Sequence, residues 1–284
     1  MTSYEDRVRL LQSESDRVKQ YLSALPDEAW NQQSACDRWQ VGDVVAHLVG
    51  VAEFYAATVS RGLQGDASPP EGRPPAGSGN AVSSAERIAQ GAITNREKLG
   101  DRLMSAFEEE GNQLNRLLAG LGPQDRDKPC YHPGGIVPAG NFVDLRFKEL
   151  GLHDWDIRSS LESDARLSPD SLPSMVVLIT NSLASGSVRW AFWPGPTLSQ
   201  LVRYRFEVGE PVPIRADISL EGDKFGLEDS GEGPANVTFR CDTETFALLI
   251  YGRLTPAAAI SSGRLAIEGD GELAAQFNQW FKGI

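Results

Sequence analysis

The hydrophobic pattern changes period once, at Pro194-Gly195-Pro196, and that change bounds what the chain can fold into. Upstream, apolar residues recur at the three-and-four spacing of amphipathic helices. Val8, Leu11, Val18 and Leu22 follow Ser3 at that spacing and stop near Pro26. Val44, Leu48, Val51, Tyr55 and Val59 repeat it between about 41 and 62. Ser83 with Glu86 has the form of a capping box and opens a long helix carrying Leu103, Phe107, Leu114, Leu117 and Leu121, which Gly122-Pro123 stops. A fourth helix is expected from about Asn141 to Leu161, and another near Ser171 to Trp190 completes or covers the set. Long amphipathic helices joined in this way predict a four-helix bundle.

Downstream the period is two. Tyr204, Phe206 and Val208 alternate with polar residues, as do Ile214, Ala216, Ile218 and Leu220, then Val237 and Phe239. Such alternation predicts half-buried strands of an antiparallel sheet. Short helical segments at about 243–251 and 270–282 and a last strand near Gly263 to Glu268 complete a small α+β domain. The expected division is therefore 1–195 and 197–284. Residues 65–82, rich in Gly, Pro and Ser, are expected to be a mobile insert that packs no core of its own.

At 284 residues the chain has room for two cores, and a net charge of -12 argues against a nucleic-acid partner or adhesion to an anionic membrane, which need clustered basic residues. No run of residues reads as the roughly 18–20 apolar positions of a membrane span. Three scattered cysteines, Cys36, Cys130 and Cys241, suit neither a disulfide framework nor a cysteine-type zinc site, so a reducing cytoplasm is expected.

The chain has three histidines, and two lie at inward helix positions: His47, between Val44 and Val51, and His153, one turn after Glu149. Residues four apart on a helix share a face. Two imidazoles and a carboxylate are a metal-binding set that leaves coordination positions open, provided the second and fourth helices are neighbours. On spacing alone the same residues also read as a hydrogen-bonded Glu–His pair and a separate core histidine.

Around these residues the chain resembles a known family. Asp37-Arg-Trp-Gln-Val-Gly-Asp-Val-Val-Ala-His-Leu48 is similar to the N-terminal signature of the mycothiol-dependent maleylpyruvate isomerase family, and Glu149-Leu-Gly-Leu-His153-Asp-Trp-Asp156-Ile to its second signature. That family falls in the DinB-like metalloenzyme superfamily, whose four-helix bundle binds a divalent metal, usually zinc, through a His, Glu/Asp, His set. The resemblance puts the ligands at His47, Glu149 and His153. Cys241 to Arg253 and Gly263 to Asp270 resemble the closing pattern of a sterol-carrier-like domain. The implied cosubstrate is mycothiol, a cysteine-bearing pseudo-disaccharide used by some bacteria in place of glutathione. A metal-held thiolate can add to a cis double bond, allow rotation and be eliminated, or it can transfer sulfur to another small electrophile.

Four neighbours are candidates for supporting roles. Asp156, one turn beyond His153, can accept its second ring N–H, or it is a solvated helix-end carboxylate. Arg253 can hold a substrate carboxylate bidentately, or it is a surface arginine. His132 can serve as acid or base, or it is an ordinary loop histidine. Trp39 is expected to pack ahead of the second helix, and no cysteine is expected to be catalytic. Two rival functions remain at this stage: a metal-dependent hydrolase that uses no thiol, and a non-catalytic carrier of an apolar ligand.

Overall fold

A computed structural model describes residues 3–78, 81–184, 191–193, 195–222, 224–229, 231 and 233–283. The chain forms two compact units, and in its second half they divide between Ser171 and Leu172.

The first unit contains α1 (Tyr4–Ser23), α2 (Val41–Leu63), α3 (Ala81–Leu99), α4 (Leu103–Ala119) and α5 (Phe142–Leu161). Ser3 begins α1 as a capping box: its hydroxyl accepts the Asp6 N–H while the Asp6 carboxylate accepts the Ser3 N–H. The bundle proper is α1, α2, α4 and α5, with α2 packed on both α4 and α5, and α1 packed on the same two. Val44, Val45, Leu48, Val49, Ala52 and Val59 of α2 are all buried, so this helix is the apolar spine of the unit. By length and composition α2 is in fact apolar enough to cross a membrane, contrary to the sequence expectation. Two-thirds (67%) of that apolar window is nevertheless buried inside the unit, as in a core helix. Arg17 ties α1 to α5, donating to Glu14 and, at 2.6 Å, to Asp154, the residue after His153.

The expected long third helix is two. Gly100 has φ +51 and a tight turn at Gly100–Arg102 separates α3 from α4, because a left-handed residue cannot continue a right-handed helix. Ser83 lies within α3 rather than at its cap, and its side chain is outside the described residues; Glu86 pairs instead with Arg38. Helix α3 is tied to α2 by a hydrogen bond, the Asn95 amide donating to the Ala46 carbonyl at 2.8 Å.

Two further differences concern loops. The stretch around His132, expected to be a loop, forms a hairpin of β1 (Pro129–His132) and β2 (Gly135–Pro138). The 65–82 insert has anchors along its described part. Arg61 holds Asp66, the Tyr131 hydroxyl donates to the Pro74 carbonyl at 2.8 Å, and the Gly77 N–H donates to Pro133 O at 3.0 Å. Among its described residues none is buried, and these contacts tie it to α2 and to the hairpin.

The second unit contains α6 (Leu172–Ala184), β3 (Leu198–Val208), β4 (Ile214–Gly222), β5 (Lys224–Asp229), β6 (Val237–Cys241), α7 (Thr243–Ile250), α8 (Pro256–Ser261), β7 (Leu265–Gly269) and α9 (Gly271–Gln276). The sheet order is β5-β4-β3-β6-β7. It is mixed rather than purely antiparallel. After β5 the chain returns across the sheet, so β6 pairs with β3 in parallel, Phe206 opposite Phe239. Tyr204, Phe206, Phe239, Phe246, Phe277 and Phe281 form one buried ring cluster, with neighbouring centroids 4.6 Å apart for Phe277–Phe281 and 5.8 Å for Tyr204–Phe239. Helix α6 was expected to complete or cover the bundle. Its buried Met175, Val176, Ile179 and Leu183 pack instead on α7 and β5, which moves the observed division from about residue 196 to residue 171. Residues 185–190, at the end of the helix expected there, lie outside the described residues.

Candidate metal centre

Helices α2 and α5 are neighbours, and their packing brings His47, Glu149 and His153 together. The Nε2 atoms of His47 and of His153 each lie 3.4 Å from the same oxygen, Oε2 of Glu149. One potential ligand atom from each residue falls within 4.8 Å of the others. These separations suit ligation better than hydrogen bonding. A hydrogen bond of this type is usually about 2.7–3.2 Å. Two ligands bound to one tetrahedral zinc at about 2.0–2.1 Å are themselves about 3.3 Å apart.

The remaining polar atoms of the trio are already engaged. Lys148 Nζ lies 2.9 Å from Oε1 of Glu149. Asp156, fully buried, lies 2.9 Å from His153 Nδ1. An N–H at Nδ1 donating to that carboxylate leaves the Nε2 lone pair aimed at Glu149 and the centre. The residues present therefore fit a divalent ion.

The electrostatics agree. Burial opposes the charge of Glu149, but Lys148 and the two imidazoles outweigh it and hold its carboxyl well below the usual range. Burial lowers the pKa of His47, with Glu149 acting in opposition, so its imidazole is neutral. Burial also disfavours charge on His153, yet Asp156, Cys36 and Glu149 together raise its pKa well above the ordinary value. Without an ion, a proton on His153 is the cation that two carboxylates hold.

Several residues near the centre were not singled out from the sequence. Lys148 is one, and its adjacency to Glu149 was the available signal. The Cys36 thiol is 3.2 Å from Asp156 Oδ2, and the Ala35 N–H donates to the Asp156 carbonyl at 2.9 Å. The loop that precedes α2 is thus pinned to α5 beside His153. Cys36, His153 and Asp156 form a second cluster of metal-ligating types, but their 2.9 and 3.2 Å separations are those of a hydrogen-bonded chain. The adjacency of Cys36 to the Asp37-Arg-Trp motif was the available signal. Arg146 is buried one turn before Glu149 and donates to the Leu48 carbonyl at 2.9 Å; burial lowers its pKa to about 10. A guanidinium between Leu145 and Phe147 on an inward face was its signal in the sequence.

Trp39 does more than pack. Its indole donates to Ala89 O, and its ring centroid lies 4.9 Å from that of His47 and 5.9 Å from that of His153, covering both imidazoles. His132 is buried beside Tyr55 and Phe142, and its Nδ1 accepts the Gly134 N–H at 3.1 Å. Burial, helped by Lys148, lowers its pKa to about 4. At neutral pH it is an uncharged Nε2–H donor rather than an acid in the imidazolium form. Arg253 belongs to the second unit, where its guanidinium donates to the Tyr251 carbonyl at 3.0 Å.

Fold and site define a two-unit protein whose helix bundle carries a His–Glu–His donor set. Residues 11–158 match the family model described as the mycothiol maleylpyruvate isomerase N-terminal domain, and residues 196–282 match the SCP-2 sterol transfer family. The chain belongs to the mycothiol-dependent maleylpyruvate isomerase family, a family of enzymes. A crystal structure of the mycothiol-dependent maleylpyruvate isomerase is similar over 94% of this chain and 93% of its own, with a TM-score of 0.64 and 17% identity. A histidine-to-alanine mutant of that enzyme has the same coverage, with a TM-score of 0.63 and 16% identity. These two likenesses establish the fold. No curated protein sequence matches the chain significantly.

Proposed function

We propose that this protein is a divalent-metal enzyme that activates mycothiol, or a related low-molecular-weight thiol, toward a small electrophilic substrate. The reaction is isomerisation of a short unsaturated acid, or S-transfer. His47, Glu149 and His153 hold the ion, and the nitrogen and carboxylate donors suit zinc. One observation carries the reading: both imidazole Nε2 atoms converge on one oxygen of Glu149, while Lys148 and Asp156 occupy the neighbouring donor atoms. A divalent ion lowers the pKa of a thiol bound to it and keeps it as the nucleophilic thiolate.

The chain's own residues supply the rest. Asp156 orients His153, and Cys36 in turn donates to Asp156. Lys148 and Arg146 place two positive charges near the single ligating carboxylate, which favours an anionic rather than a neutral further ligand. Trp39 limits water on the outer side of the imidazoles. His132 offers an uncharged N–H to an oxygen of bound substrate. Arg253 is proposed to hold a substrate carboxylate, which a rise in KM with unchanged kcat in Arg253→Gln would support.

The hydrolase alternative shares the centre and differs in having no use for a thiol. The carrier alternative would use the second unit alone and would have no need of the His–Glu–His set. The three free cysteines suit a reducing compartment, and a cytoplasmic location is part of the proposal. The test is elemental analysis of the full chain beside His47→Ala, followed by thermal shift with mycothiol. About one zinc per native chain, none in the variant, and a thiol-dependent shift are expected. Absence of metal from the native chain would sink the proposal, and metal without any thiol response would favour the hydrolase.

A further inference from the structure

The face of α2 that carries His47 is incompletely covered. His47, Gly50, Val51 and Phe54 are each partly exposed, whereas Val44, Val45, Ala46, Leu48, Val49, Ala52, Tyr55 and Ala56 are buried. Positions 47, 50, 51 and 54 form one partly exposed stripe, which runs from the imidazoles past Asn95 beside Gly50 to Phe54, about 10.5 Å along the helix axis. At its far end stands Arg73, contributed by the insert. Its guanidinium carbon lies 4.9 Å from the centroid of the Phe54 ring.

The placement of Arg73 is built. Its N–H donates to Pro70 O at 3.0 Å, and the carbonyl of the next residue, Pro74, accepts the Tyr131 hydroxyl at 2.8 Å. The Tyr131 ring packs edge-on against Phe54, 6.2 Å away. Among the described residues no carboxylate pairs with Arg73 or with Arg87, which is close enough to repel it. The chain has 39 acidic residues to 27 basic ones, so two neighbouring arginines without an acidic partner are a conspicuous deficit. An arginine against an aromatic ring keeps its N–H edge available for a planar anion.

We propose that Arg73, supported by Arg87, is an anion-recognition residue that holds a carboxylate of the substrate whose reacting end sits at the imidazole centre. It would thereby confer specificity for acids with a carboxylate about 10 Å from the metal ligands. This rests on the function proposed above. The insert, which adds no core, would serve to carry this group to the end of that stripe.

The test uses adipate, a six-carbon dicarboxylate with no double bond for a thiol to attack. Calorimetric titrations of the zinc-loaded full chain compare the native protein with Arg73→Gln, Arg73→Lys and Arg87→Gln. Mycothiol is titrated in parallel, because a carboxylate-binding role leaves its affinity unchanged. Expected are at least tenfold weaker adipate binding in R73Q, partial recovery in R73K, a two- to fivefold loss in R87Q, and unaltered zinc content and mycothiol affinity throughout. Adipate affinity in R73Q within twofold of native, no adipate binding by the native chain, or an equal loss of mycothiol affinity overturns the inference. If the native chain takes up no zinc, the function proposed above fails, and the same comparison without zinc still decides the role of Arg73.

Discussion

Asp156→Asn removes one charge from a fully buried position and leaves the side-chain volume almost unchanged. The carboxylate is 2.9 Å from His153 Nδ1, so an ion on the far side of the imidazole sits roughly 7 Å from it, given the ring width and a zinc–nitrogen bond of about 2 Å. At an effective dielectric of about 20, one charge attracts a divalent ion at that distance by about 5 kcal/mol. That figure is a ceiling for two reasons. The asparagine carbonyl can still accept the Nδ1–H, and Asp156 also stabilises the proton that zinc must displace from His153. Losses of ten- to a hundredfold, about 1.4–2.7 kcal/mol, are typical when a residue behind a metal ligand is changed. Competition with a chromophoric chelator near pH 7 measures the affinity directly, and the Ala35 N–H bond to the Asp156 carbonyl keeps the adjacent loop anchored in the variant. Zinc affinity in D156N within twofold of native, while His47→Ala abolishes uptake, would refute the argument that this carboxylate acts through His153.

Other perturbations have outcomes that follow from the same geometry. Zinc loading at pH 7 should release about one proton per ion, because Glu149 is already ionised, His47 is neutral and His153 carries a proton. Calorimetry in buffers of different ionisation enthalpy reads this, and the release should fade as pH rises through the His153 pKa. Gly62→Ala places a Cβ 2.3 Å from the Cys130 sulfur and 2.7 Å from the Pro129 carbonyl, so overpacking between α2 and β1 should cost about 1–3 kcal/mol in denaturant titration. Phe206→Ala should destabilise the second unit by about 3–5 kcal/mol, since its ring meets those of Phe239, Phe246 and Phe277. Zinc content measured on the folded variant should stay at the native value.

Periodicity was enough to place most elements. The helix expected from about 41 to 62 is α2, Val41–Leu63, and the one expected from 141 to 161 is α5, Phe142–Leu161, because each has a continuous apolar face and clear stops. The alternating runs at 204–208, 214–220 and 237–239 are strands for the corresponding reason. What periodicity missed was short or locally ambiguous. The β1–β2 hairpin has four residues per strand, Gly100 breaks a pattern that runs apolar on both sides, and β5 was not anticipated.

The sequence by itself determined which side chains share a helix face: Glu149 with His153, and His47 with Phe54. Those relations depend only on helical pitch, which any α-helix has. It also contained the motifs that the family match recognises. Only the tertiary structure decided that α2 and α5 are neighbours, that Cys36 and Asp156 stand behind His153, and that α6 packs with the second unit. Those outcomes depend on which apolar faces bury each other across separations of about a hundred residues, and local spacing holds no record of that choice.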